Sequence, residues 1–180
     1  FYKAESAGND FILVLAGTLP PLDLRSAIPR WCHRRKAIGA DGVIVLDLET
    51  QPFGFRIFNA DGSEAEISGN GLMCAAALLF RLQPDGTDKI LFRTMNGVHA
   101  VFRESDDRFA AELGPLPTRS EFQSLTVHLD DTDYEFYYTR FPGNPHAIHL
   151  ADSPERLSAD FPLIAPRVET LSQFPNRTNV

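Results

Sequence analysis

Apolar residues along this 180-residue chain fall mostly into short runs of strand character. Phe11–Leu15 and Val43–Leu48 are apolar runs, and Phe53–Phe58 alternates Phe53, Phe55 and Ile57 with Gly54 and Arg56, a period of two. Further strands are expected at Ile90–Thr94, Val98–Phe102, Phe109–Leu113, Leu125–Leu129, Glu135–Phe141 and His146–Leu150, with Asn96-Gly97 as a hairpin turn. Helices are fewer. One is predicted over Leu22–Arg35, interrupted by Pro29. A stronger one covers Leu72–Leu82, opened by Gly69-Asn70-Gly71 and closed by Pro84-Asp85-Gly86. This second helix is apolar on every side apart from Arg81, so protein must surround it. The simplest solution is an α+β fold in which a curved sheet wraps a central buried helix. Gly114-Pro115-Leu116-Pro117 reads as a linker. Beyond Pro117 the pattern offers strands but no second central helix. That region is therefore expected to lean on the first domain, pair with another chain or belong to a longer polypeptide.

Composition narrows the function only slightly. Hydrophobic residues make up 43% and charged residues 23%, ordinary for a globular protein. A net charge of −7 and no basic stripe argue against nucleic acid. The apolar run Leu72–Phe80 is too short to cross a bilayer, and FYKAESAGNDF lacks the regions of a signal peptide. Cys32 and Cys74 form neither a disulfide framework nor a metal-ligand spacing, so no metal is expected and the cytoplasm is the default compartment.

The candidate chemistry sits where Gly69-Asn70-Gly71 feeds the apolar helix. The first N–H groups of a helix lack intrahelical partners and lie at the positive end of its dipole, and glycines let an anion approach them. The N–H groups of Gly69, Asn70 and Gly71 are thus candidates for holding a carboxylate or phosphate. Ser68 on its own reads as an N-cap or loop residue. Asn9, Asn59 and Asn144 on their own read as turn residues, although an asparagine amide can read both a carboxylate and an ammonium group. Arg34, Arg35 and Lys36 read as a solvated basic face, and Asp61 and Glu64 as turn and first-turn charges.

The string FNADGSEAEISGNGLMC, Phe58 to Cys74, closely resembles the N-terminal signature of the diaminopimelate epimerases, racemases that use no pyridoxal phosphate. GNPHAIHL, Gly143 to Leu150, is similar to that family's Gly-Asn-Pro-His strand. FPNRTNV, Phe174 to Val180, is similar to the segment before its second half-site. Ile38-Gly39-Ala40-Asp41-Gly42 resembles another family segment near the active site, where a structural turn is an equal reading. The resemblance implies a first domain over residues 1–114 and the first part of a similar second domain over 115–180, with the active site in a cleft. It covers about the first two-thirds of the family's length. The second domain's helix, catalytic cysteine and glutamate–arginine pair are therefore expected to be missing.

The resemblance also implies residue roles. Asn9, Asn59, Gly69, Asn70, Asn144 and Asn179 fall where the family holds its small amino-acid substrate. Ser68 stands where the family has one of its two catalytic cysteines, and His146 is placed as its possible partner. No cofactor is implied, and a homodimer is left open. Abstracting an α-proton and returning it from the other face suits two thiols whose pKa is lowered by a positive setting. A hydroxyl is a far weaker acid, so serine departs from a base matched to the operating pH. Cys74 cannot replace the missing thiol: six residues along a helix is about 600° of rotation and about 9 Å of rise. The leading reading is an amino-acid epimerase, impaired as the chain stands, acting on diaminopimelate in lysine and cell-wall precursor synthesis. The rivals are a non-catalytic amino-acid-binding or interaction domain on the same scaffold, and another superfamily isomerase of the proline racemase or phenazine-biosynthesis kind.

Overall fold

The computed structural model describes residues 1–82, 87–175 and 177–180, and the turn expected at Pro84-Asp85-Gly86 lies outside them. The chain divides into two compact units, Phe1–Gly114 and Pro115–Val180.

In the first unit the order is β1 (Tyr2–Ser6), β2 (Asn9–Leu15), α1 (Leu24–Trp31), β3 (Gly42–Asp47), β4 (Phe53–Asn59), β5 (Glu64–Ala65), α2 (Gly69–Leu82), β6 (Lys89–Thr94), β7 (Gly97–Ser105) and β8 (Arg108–Ala111). Eight strands form one sheet, ordered β1-β2-β3-β4-β6-β7-β8, with the short β5 paired to β4. β1 and β2 form a hairpin in which Ser6 faces Asn9, and Ala7 and Gly8 between them both adopt positive φ, as a twisted two-residue turn requires. β2 and β3 run parallel, with Phe11 beside Gly42, and α1 makes the crossover that such a pair needs.

Strand alternation divides the side chains between two cores. Phe11, Leu13, Ile44, Leu46, Phe53, Phe55 and Ile57 pack with α2, whereas Ile12, Val14, Val43, Val45 and Phe58 pack with α1. α2 touches β1 at one end of the strand order and β8 at the other, so the sheet must curl around it. Leu72, Ala75, Ala76 and Leu79 of α2 are fully buried. The wrapped-helix architecture expected from the all-round apolar pattern is what forms. A Cβ at Gly71 would stand 3.1 Å from the Ile57 side chain and 3.2 Å from that of Ile44, so the missing side chain lets the first turn of α2 lie close on the sheet.

α1 is shorter than the expected 22–35 span, but Pro29 lies inside it rather than ending it. Asp23 caps its start by accepting from the Arg25 N–H at 3.1 Å.

The second unit holds β9 (Gln123–Leu129), β10 (Thr132–Thr139), β11 (His146–Ile148) and α3 (Pro154–Val168). The three strands form an antiparallel sheet in the order β11-β10-β9. Besides the strands expected after Pro117 the unit holds one α-helix, α3, which the pattern did not indicate. Ser153 caps that helix, accepting from the Arg156 N–H at 3.2 Å, and Pro154 sits at its first turn, where the absent N–H costs nothing. Ile164 and Val168 join Val127, Leu129, Phe136, Ala147 and Phe174 in a core of the unit's own. α3 is one-sided, not central: Leu157, Phe161 and Leu163 remain exposed. No helix among the described residues is long and apolar enough to cross a membrane.

Candidate active site

α2 begins where the sheet places it. The Leu72 N–H donates to the Ser68 carbonyl at 2.9 Å, and the Gly71 N–H donates to Ser68 Oγ at 3.1 Å. Ser68 is thus the N-cap of α2. The same bond corrects one expectation. Gly71 was to offer its N–H to a ligand anion, but Ser68 already takes it, leaving Gly69 and Asn70 as the first-turn residues placed to meet an anion. The Ser68 oxygen accepts while its O–H remains able to donate.

Asn9 and Asn70 come together directly: Asn70 Nδ2 donates to Asn9 Oδ1 at 2.8 Å. Asn9 opens β2 instead of closing a turn. It shares the parity of Phe11 and Leu13, so it faces the α2 side of the sheet. Asn59 ends β4 opposite Gly42, which in turn lies beside Phe11. It therefore stands at the same end of the sheet as Asn9, and its parity with Phe55 and Ile57 points it to the same face. Its backbone turns back at once, with the Gly62 N–H donating to the Asn59 carbonyl at 2.9 Å. Its amide donates to Ser63 Oγ at 3.0 Å. Gly42 makes this end tight, since a Cβ there would lie 2.4 Å from the Phe58 carbonyl oxygen.

Of the charged residues nearby, Asp61 is as the sequence pattern read it, whereas Glu64 and Arg34 are not. Glu64 is in β5 and forms a two-pronged ion pair with Arg56, at 2.7 and 3.0 Å, rather than serving the first turn of α2. Asp61 does act in the turn, accepting from the Ser63 N–H at 2.8 Å. Arg34 is no plain solvated cation: it donates to Asp10 at 2.6 and 3.1 Å and to Asp41 at 2.7 Å. Lys3 reaches Asp10 as well. The Arg34 guanidinium, aided by Lys3 and Asp41, holds the Asp10 carboxyl well below the usual carboxylate range against the opposing effect of burial. Sequence reasoning missed this cluster because its members are far apart in the chain. The turn 38–42 carries it, with Gly39 at positive φ and a Cβ there only 2.8 Å from the Arg34 Cα.

Both thiols are buried. Burial pushes the Cys74 thiol up to about 11, and burial raises Cys32 too. Neither has the activated character of a proton-transferring thiolate.

The second unit gathers its own set. The Ala147 N–H donates to the Asn179 carbonyl at 2.7 Å, and the Asn179 N–H to the Pro145 carbonyl at 2.9 Å, so that 179 lies parallel to the start of β11. The Asn179 amide also donates to the Pro145 carbonyl at 3.0 Å. Asn144 and His146 flank that proline, and burial holds the His146 imidazole below its ordinary pKa. The segment 174–180 includes Asn176, which lies outside the described residues. A cavity of about 370 Å³ runs beside β11 and α3, between Phe136, Ala147, Leu157, Phe161 and Ile164.

A sheet curled around one buried helix, with Asn9 bonded to Asn70 on that helix's first turn, is an epimerase-like fold. Two solved structures share the fold. A hydroxyproline epimerase from Agrobacterium vitis, with bound trans-4-hydroxy-L-proline, aligns over 99% of this chain and 62% of its own, with a TM-score of 0.56 and 14% identity. A phenazine biosynthesis PhzF-family protein from Enterococcus faecalis aligns over 94% and 61%, with a TM-score of 0.54 and 15% identity. At such identities the likeness speaks for fold alone.

The chain belongs to the diaminopimelate epimerase family: that family's model matches residues 1–116. A diaminopimelate epimerase of Carboxydothermus hydrogenoformans is 30% identical over 192 residues, covering 100% of this chain and 69% of its own length. One of Cupriavidus taiwanensis is 34% identical over 204 residues, covering 99% and 68%. The chain thus spans about two-thirds of these curated relatives and under two-thirds of the two solved structures.

Proposed function

We propose that this chain is an amino-acid epimerase of the diaminopimelate type that retains substrate recognition but transfers the α-proton poorly. Diaminopimelate carries an amino-acid head at each end. The α-carboxylate of one head would sit on the N–H groups of Gly69 and Asn70, with the Ser68 hydroxyl as a further donor. Asn9 and Asn59 would read the carboxylate edge and the ammonium. The reaction class is movement of the α-proton without pyridoxal phosphate, and fixed donors at the carboxylate stabilise the charge that develops on proton loss. In the second unit Asn144 and Asn179 are proposed to contribute substrate contacts, with His146 as an acid/base candidate. Residues 115–180 are read as the first part of the second epimerase domain.

The observation that carries this reading is the Asn70–Asn9 hydrogen bond at the capped start of α2. It brings together two amides that the sequence separates widely, at the first turn of α2, where N–H groups lack intrahelical partners. The impairment rests on Ser68, whose oxygen is engaged by the Gly71 N–H and whose acidity is far from that of a thiol.

A second reading, an amino-acid-binding domain without turnover, is favoured by the same capping bond, because it gives Ser68 a structural task. Both readings predict binding. Titration calorimetry with LL- and meso-diaminopimelate should give saturable heat that Asn9→Ala weakens, with pimelate, which lacks both ammonium groups, binding far less. No heat with either diaminopimelate isomer would remove the proposal.

A further inference from the structure

The Lys3–Asp10–Arg34–Asp41 cluster makes no direct part of the proposed substrate site, yet its geometry is specific. Its four residues come from β1, from β2, from the turn after α1 and from the entry to β3. Arg34 divides its donors between the two carboxylates, with Nη1 and Nη2 on Asp10 and Nη2 also on Asp41. The two aspartates also interlock through the backbone. The Asp10 N–H donates to Asp41 Oδ2 at 3.1 Å, and the Asp41 N–H donates to the Asp10 carbonyl at 2.9 Å. Lys3 completes the set by donating to Asp10 and, at 2.6 Å, to the Gly39 carbonyl.

The cluster lies one residue before the first ladder pair of the parallel strands, Phe11 beside Gly42. It extends the ladder at a point where a strand end would otherwise fray. Asp10 immediately follows Asn9, and alternation sends the two side chains to opposite faces of β2. Pinning Asp10 on the α1 face fixes the peptide they share, and with it the aim of Asn9 on the α2 face.

Stability is only part of the account of such a cluster. The Asp10 side chain is 19% exposed, but that of Arg34 is 56% exposed and that of Asp41 40%, and exposed ion pairs are worth little. What an arginine fork shared between two carboxylates does supply is fixed geometry.

We propose that Arg34 is a positioning residue: acting through Asp10 and Asp41, it holds Asn9 in register with Asn70 at the start of α2. The inference rests on the proposed reading of that site as an amino-acid site. Its test has a spectroscopic arm and a binding arm, both on the full 180-residue chain. The side-chain amide protons of Asn70 report its bond to Asn9, and Asn9→Ala gives their position when that bond is lost. Arg34→Ala should move them toward the Asn9→Ala position and weaken meso-diaminopimelate binding on the order of tenfold, the scale of one misaligned hydrogen bond. Arg34→Lys should fall between, because an ammonium cannot grip both carboxylates at once. Asp41→Asn should move the same signals and stands in should Arg34→Ala fold poorly. Arg103→Ala, which removes the Arg103–Asp88 ion pair of the same unit, should leave them in place. Asn70 signals unchanged in both Arg34→Ala and Asp41→Asn would overturn the inference. Absence of diaminopimelate binding in the unmodified chain would strike the functional reading instead, and the spectroscopic arm would still decide the positioning role.

Discussion

Asn70 on the first turn of α2 donates its side-chain amide to Asn9 Oδ1 at 2.8 Å, across 61 residues of sequence. The bond links the first residue of β2 to the helix that the sheet encloses. It places two amides side by side where the helix dipole is positive. The first prediction concerns the cap of this corner.

Ser68→Ala should cost about 1 kcal/mol, the usual effect of losing an N-cap side chain. Ser68→Asp should keep the cap, since aspartate is as good in that position, yet bring a negative charge to the place proposed for the substrate carboxylate. Urea unfolding and calorimetric titration separate the two effects. Ser68→Asp should be as stable as the unmodified chain and fail to bind diaminopimelate. Undiminished binding by Ser68→Asp would place the carboxylate elsewhere.

Gly42→Ala tests the tightness of the sheet end. The added Cβ would stand 2.4 Å from the Phe58 carbonyl oxygen, a backbone atom that cannot swing aside. A loss of roughly 1–3 kcal/mol is expected, as for overpacking elsewhere. Because Gly42 faces Asn59 across the ladder, diaminopimelate binding should weaken as well. Unchanged stability in urea would show that β3 and β4 are not held this closely.

Leu79→Ala and Leu163→Ala should differ sharply. Leu79 of α2 is 0% exposed and Leu163 of α3 is 70% exposed. The first should lose about 2–5 kcal/mol and the second within about 0.5 kcal/mol. Chemical denaturation of the two variants checks it, and similar losses would contradict the one-sided burial of α3.

His146 predicts a direction with pH. Burial lowers its folded pKa below the ordinary value, so the folded state resists protonation. Its contribution is fully present above the unfolded value of about 6.5 and is lost as pH falls from there through the lower folded value, because the unfolded chain takes up the proton first. Urea midpoints at pH 7.5 and 5.5 should therefore drop less in His146→Gln than in the unmodified chain. An equal drop would assign the pH dependence to other groups.

Much of this was legible in the sequence where one physical signal dominated. The apolar run 72–82 on a glycine-bounded start could only be an enclosed helix, and the alternation at 53–58 could only be a half-buried strand. α3 was not expected, and Pro162 and Pro166, residues that disfavour a helix interior, lie inside it. The signal that outweighs them is Ser153-Pro154 as a cap and first turn, followed by Leu157, Phe161, Ile164 and Val168 at helical spacing. β1 has little hydrophobic pattern and is visible only through its hairpin turn at Ala7-Gly8. In the site, the family string marked Ser68, Gly69 and Asn70. Nothing local tied Arg34 to Asp10 and Asp41, because a contact between residues 24 positions apart depends on how α1 crosses from β2 to β3.

The central claim is that this site keeps its grip on an amino acid while Ser68 withholds the proton transfer. Deuterium incorporation at the α-carbon of meso-diaminopimelate, followed by proton NMR in deuterated water, tests it most directly. The unmodified chain should show little exchange, and Ser68→Cys should raise it by about 10²–10⁴-fold, the usual contribution of a well-matched acid/base group. Chiral separation should show inversion lagging far behind exchange, because Cys32 and Cys74 are both buried and cannot supply a second thiol. Rapid exchange by the unmodified chain, not increased by Ser68→Cys, would show that the hydroxyl already serves as the base and would contradict the account.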